Sequence, residues 1–101
     1  MTIAAFVDDL MDQSRLRAAL PATTFVRDTA GLEASVVIVD LAAHGDAVPA
    51  VRAALPTARI VAFGPHVDGA ALDEALAAGA DLVVPRSRFF RDPAGAVAAD
   101  R

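Results

Sequence analysis

Four short apolar runs constrain this chain more than any other feature: TIAAFV (2–7), SVVIVDL (35–41), ARIVAFG (58–64) and DLVVP (81–85). Each is too short for a buried helix and rich in Val or Ile, the pattern of strands covered on both faces. A fifth run, TTFVR (23–27), carries the same signal more weakly. Between the runs lie Ala- and Leu-rich stretches with helical spacing, at 10–20, 47–55 and 70–78. Pro21 and Pro56 follow two of these and Gly79 the third, while Asp46 and Asp68 stand where caps of the last two belong.

Strands alternating with helices need crossover connections, and right-handed crossovers cover both faces of an open parallel sheet. The expected fold is therefore a doubly wound α/β domain with five parallel strands. One helix is missing from the regular alternation, because only DTAGLEA (28–34) joins the second strand to the third, so a loop or single turn is expected there. In the tail RSRFFRDPAGAVAADR, Asp92 caps and Pro93 fits a first helical turn, which leaves about two turns for a short last helix.

A chain of 101 residues holds one core, so residues 1–101 are read as one domain. Its 55% hydrophobic and 22% charged residues suit a folded domain rather than a disordered segment. The formal charge of −4 argues against nucleic acid, because phosphate-backbone binding needs concentrated Lys and Arg. The absence of cysteine fits a reducing compartment. MTIAAFVDDL lacks a basic leader, and no apolar run approaches the roughly 20 residues that cross a bilayer. A cytoplasmic protein with no membrane partner is expected.

In an open parallel sheet the C-terminal strand ends share one rim, where ligands bind at the switch in strand order. Asp8 and Asp9 end the first strand and Asp40 ends the third, which in the order 2-1-3-4-5 are neighbours. Three converging carboxylates would raise one another's pKa unless a cation intervened, and Mg²⁺, which takes oxygen ligands, is the expected one. The plainer alternative makes Asp8 or Asp9 a helix cap and leaves Asp40 solvated.

These residues resemble the response-regulator receiver domains of two-component signalling. FVDDLMDQSRLRAAL is similar to the receiver's opening strand, acidic pair and first helix, SVVIVDL to the strand that ends in the phosphoacceptor, and ALPTARIVAFG with ALAAGADLVVPRS to the later strand segments. The resemblance implies a flavodoxin-like fold of strand order 2-1-3-4-5 with the second helix lost or reduced. It also implies that Asp8, Asp9 and the backbone carbonyl of Ala42 lie where receivers hold Mg²⁺, and that Asp40, itself a metal ligand, stands at the phosphoacceptor position of the phosphorelay. On the phosphate side the chain departs from the pattern. Gly64 replaces the hydroxyl residue, Arg86 the lysine, and Ser87 the cis-proline, while Val83 stands at the aromatic switch position.

His44 and His66, expected in rim loops, are further candidate ligands or proton carriers. Arg86, Arg88 and Arg91 with Phe89 and Phe90 form a basic and aromatic cluster. Either one Phe packs under the last helix with the arginines solvated, or Arg88, Phe89 and Phe90 mark a contact patch for another protein or a second copy. The expectation is a stand-alone, non-enzymatic pseudo-receiver acting by protein–protein contact. The rivals are a small Mg²⁺-dependent phosphatase or phosphotransferase with an Asp nucleophile, and a structural subunit with an incidental acidic rim.

Overall fold

The apolar runs become five parallel strands in the computed structural model, which describes residues 1–65 and 69–98. They are β1 (Ile3–Phe6), β2 (Thr24–Phe25), β3 (Val36–Asp40), β4 (Arg59–Gly64) and β5 (Leu82–Pro85), hydrogen-bonded in the order β2-β1-β3-β4-β5. β2 shrinks to two residues at the sheet edge and, alone among the described strands, has no buried residue, as its weaker pattern implies.

Strand alternation divides the core in two. Ile3, Ala5, Val7, Val36, Ile38, Val61, Phe63 and Val84 point to one face, where Leu16 and Leu20 of the first helical segment and Phe89 and Val97 of the last meet them. Phe6, Val37, Val39, Ile60, Ala62 and Val83 point to the other, under Val48, Val51 and Ala75. The covering helices are α1 (Leu10–Ala19), α2 (Leu41–His44), α3 (Ala47–Ala54), α4 (Gly69–Ala78), α5 (Arg86–Arg91) and α6 (Pro93–Ala98). With helices on both faces the fold is doubly wound and flavodoxin-like.

No helix joins β2 to β3. Residues 28–34 form a loop in which Asp28 Oδ1 accepts the Ala30 N–H and Gly31 adopts φ +66°. The chain differs from expectation at three helix boundaries. A short helix, α2, follows β3 directly, so His44 sits on a helix and not in a loop. Asp46 stands before α3 without a side-chain capping bond, because Gly45 and Asp46 already have helical dihedrals and the chain runs almost continuously from α2 into α3. The tail forms two short helices rather than one. Pro93 drives Asp92 out of the helical region, to φ −155° and ψ 73°, and Asp92 Oδ1 then accepts the Gly95 N–H to restart the helix. Asp68, the expected cap of α4, lies outside the described residues.

At the edge opposite the rim, Arg52 of α3 ties the helix ends to the sheet. Its guanidinium donates to the carbonyls of Leu55, Pro56, Ala58 and Gly79 and to Asp81 Oδ2, at 2.8–3.3 Å. Asp81 Oδ2 in turn accepts the Ile60 N–H at the start of β4.

Candidate functional site

Register fixes how the acids meet. Phe6 pairs with Val39, so Val7 lies level with Asp40, and Asp8 and Asp9 stand just beyond it on the neighbouring strand end. Alternation then separates the adjacent pair. Asp8 leaves the sheet on the Phe6 side, where its Oδ2 lies 3.0 Å from His44 Nε2, and the His44 ring packs edge-on against Phe6 at 5.7 Å. Asp9 turns back to cap α1, accepting the Asp12 N–H at 2.9 Å. Each aspartate has its own environment, Asp8 beside His44 and Asp9 at the start of α1.

Asp40 is buried at the end of β3, and its Oδ1 accepts the Ala42 N–H at 3.1 Å, capping α2. Among the described residues no three His, Asp or Glu side chains form a group that could hold a metal ion. The expected donor set of Asp8, Asp9, Asp40 and the Ala42 carbonyl is thus spread over three local tasks: a histidine pair and two helix caps. At Ala42 the contact that the structure shows is its N–H. His66 lies outside the described residues.

On the phosphate side, Gly64 is buried and pairs with Pro85, presenting no side chain to the rim. Ser87 and Arg88 are exposed on α5. The exposed aromatic patch is corrected. Phe89 is 1% exposed, stacked on Phe63 with centroids 4.9 Å apart and planes 15° apart, because the rim turn directs it onto the sheet face left open beside α1. Phe90 is half-buried, edge-on to both rings. Arg88 and Arg91 are exposed as the plainer reading has it, whereas Arg86 is half-buried and paired with Asp12.

Arg86 is engaged within the chain. Its Nη2 donates to Asp12 Oδ1 at 2.6 Å, and its guanidinium lies 5.7 Å from the Phe63 ring centroid and 5.4 Å from that of Phe90. Arg15 Nη1 reaches the same Asp12 oxygen at 3.2 Å, and the Arg15 guanidinium lies 5.7 Å from the Phe90 ring centroid. The Asp12 hydrogen bond raises the Arg86 pKa above the ordinary guanidinium value, against desolvation, and the charges of Asp12, Asp40 and Asp9 add to the rise. A cation with a raised pKa loses its contribution only as pH climbs through that value, so Arg86 stays charged throughout working conditions.

Sequence reading missed Asp12. The signal was its spacing: Asp12, Leu16 and Leu20 recur every four residues, which puts a carboxylate on the inward stripe of α1. A buried charge must be paired, and Arg86 and Arg15 supply the partners. Replacing Asp12 with alanine is expected to lower thermal stability by about 1–3 kcal/mol, because Arg86 loses its partner against the rings. Asp8→Ala, which breaks a half-exposed pair, is expected to cost less than about 1 kcal/mol in the same melting experiment.

The architecture is that of response-regulator receiver domains, and the chain has the receiver-domain fold. A response regulator from Thermotoga maritima superposes with a TM-score of 0.69 at 13% identity, over 84% of this chain and 83% of that one. One from Hahella chejuensis gives 0.71 at 22% identity, over 86% and 80%. A response regulator protein from Burkholderia pseudomallei, solved with a phosphorylated aspartic acid, a calcium ion and citrate, gives 0.75 at 17% identity, over 95% of this chain and 65% of that one. No protein-family profile and no curated protein matches the chain.

Proposed function

We propose that this protein is a pseudo-receiver: a signal-transduction module that acts by contact with another protein and not by a phosphorylation switch or by catalysis. The receiver-domain fold and its response-regulator neighbours support a place in two-component signalling. The single observation carrying the rest is the commitment of Asp40, whose carboxylate caps α2 while the neighbouring strand end offers Gly64 with no hydroxyl. In-line phosphoryl transfer needs a positioned acceptor and a cation array, and a switch needs a group that reads the product. Here Arg86 is engaged with Asp12, and Val83, at the aromatic switch position, is packed in the core.

A phosphatase or phosphotransferase reading has weaker support, since the nucleophile candidates Asp8 and Asp40 each hold a partner within the chain. Binding has a surface to use. Leu10 and Met11 are 77% and 67% exposed in the first turn of α1, directly beside Asp8 and Asp9, an apolar step next to an acidic rim. The partner proposed is a soluble protein, with a second copy of the chain as the alternative. No described helix is long and apolar enough to cross a membrane, and a cytoplasmic location is part of the same proposal.

The test is exposure to acetyl phosphate, and separately to beryllofluoride, with Mg²⁺ present. Intact mass and amide NMR are expected to show no stoichiometric adduct on Asp40 and no spreading shift changes. Saturable modification of Asp40 with shifts reaching α4 and β5 would replace this reading with that of a working receiver.

A further inference from the structure

Between β2 and β3 a loop stands where the alternation of the fold puts a helix. Over the middle of the sheet the Phe6 face lies under Val48, Val51 and Ala75 of α3 and α4. Over β1 and β2 the same face is covered by residues 28–34, of which Leu32 and Ala34 pack against it. The loop does not fill a helix's place. A cavity of about 290 Å³ lies between residues 27–29 and Ala47 and Ala50 of α3, lined also by Phe6 and His44. A second, of about 210 Å³, opens on the loop's far side by Ala4, Thr24 and Val26, where a Cβ on Gly31 would meet nothing within 4 Å.

We propose that the gap beside α3 is the docking site for a basic amphipathic helix of another protein, laid in the place of the missing crossover helix. This deepens the contact half of the proposed function and rests on it. Shape favours a helix. Ala47 and Ala50, one turn apart, keep that flank of α3 low, so a second helix axis can approach to about 8–10 Å. Strand addition has little to use, since β2 offers an edge of only two residues.

Charge selects the kind of helix. Asp28 and Asp46 line the larger cavity, Glu33 the smaller, and Asp8 adjoins the first through His44, while Arg27 alone among these lining residues is a guanidinium. Asp46 and Glu33 are exposed, and neither side chain has a hydrogen-bond or ion-pair partner among the described residues. Lysines or arginines flanking an apolar stripe would meet those two acids while the stripe enters the cavity over Phe6. A second copy of the chain fits poorly. Each copy carries −4, and its exposed Leu10 and Met11 stand beside Asp8 and Asp9, so acid would meet acid.

The probe is a capped helical peptide of about four turns, with leucine at positions i, i+3, i+4 and i+7 and lysine elsewhere, titrated into the protein and followed by amide NMR. Saturable shifts are expected at Thr29, His44, Ala47 and Ala50, and the same peptide with glutamate for lysine is expected to bind about tenfold or more weaker. Ala50→Arg puts bulk and like charge at an exposed position on the cavity wall and is expected to weaken binding about tenfold. Asp46→Asn removes one acid that caps nothing and is expected to weaken it about two- to fivefold. Ala18→Arg makes the same charge change as Ala50→Arg on α1, across the sheet, and is expected to stay within about twofold of wild type. Should Ala50→Arg not fold, the wild-type shift map and Asp46→Asn decide. No saturable shifts, equal binding of the glutamate peptide, equal losses in the Ala18 and Ala50 variants, or shifts at these amides that track protein concentration without peptide each overturn the inference. Peptide shifts confined to Leu10 and Met11 would overturn this site and leave the proposed function standing. Peptide binding at the gap alongside stoichiometric modification of Asp40 by acetyl phosphate would do the reverse.

Discussion

Phe89→Ala is expected to destabilise the protein by about 3–5 kcal/mol, the range for deleting a buried aromatic side chain. Phe89 is 1% exposed and stacks on Phe63 while Phe90 closes against both rings, so alanine would leave a void bounded by two aromatic faces and Val97. Single domains are stable by only about 5–15 kcal/mol, so a loss of that size removes a large share of the total. Urea denaturation followed by circular dichroism measures it. Arg88→Ala and Arg91→Ala, on exposed positions of the same helix, are expected to stay within about 0.5 kcal/mol of wild type. A Phe89→Ala midpoint equal to theirs would mean that the ring is not packed on the sheet. The consequence for function is direct: loss of partner binding in Phe89→Ala reports unfolding and not an interface, so contact mapping belongs on exposed residues such as Leu10 and Met11.

Arg52→Ala is expected to cost about 2–4 kcal/mol, because it strands carbonyls that one side chain now satisfies, each worth about 1–3 kcal/mol when left dry, with water recovering part at this partly exposed site. Four carbonyls and Asp81 converge on this guanidinium from the ends of α3 and α4 and the loops leading into β4 and β5. Lysine is expected to restore less than half of the loss, since an ammonium lacks the planar fork that reaches Gly79, Ala58 and Asp81 together. The same unfolding measurement decides, and full rescue by Arg52→Lys would show that charge rather than geometry is what the site uses. Gly79 belongs to the same device. Its φ of +124° already favours glycine, and a Cβ there would stand 2.8 Å from Arg52 Cβ and Cγ, so the turn after α4 and the arginine are fitted to each other.

Both large effects fall on residues whose roles charge or hydrophobicity alone would misassign. Phe89 and Phe90 sit between arginines in RSRFFR, where one of them packs in the core or both mark a contact patch. Arg52 carries no motif or spacing that singles it out in the sequence. What decided them was where the helices landed: α5 begins directly at the rim turn after β5, which points Phe89 at Phe63, and α3 ends where α4 also ends, which surrounds Arg52 with spent carbonyls. Asp12 is the intermediate case, since its place on the inward stripe of α1 was readable while its partner, 74 positions away, was not.

The sequence by itself determined the strands, their parallel direction and the missing helix between β2 and β3, because burial on both faces demands continuous apolar runs and alternating helices supply the crossovers; the order 2-1-3-4-5 was implied by the resemblance to receiver domains. It also placed Asp8, Asp9 and Asp40 on one rim. Only the tertiary structure decided what those acids do there, since a carboxylate's partner is set by side-chain direction over a few ångströms: Asp8 to His44, Asp9 and Asp40 to helix caps, and Arg86 to Asp12. Chain position fixes which residues arrive at an edge, and packing of the helices above it fixes which of them touch.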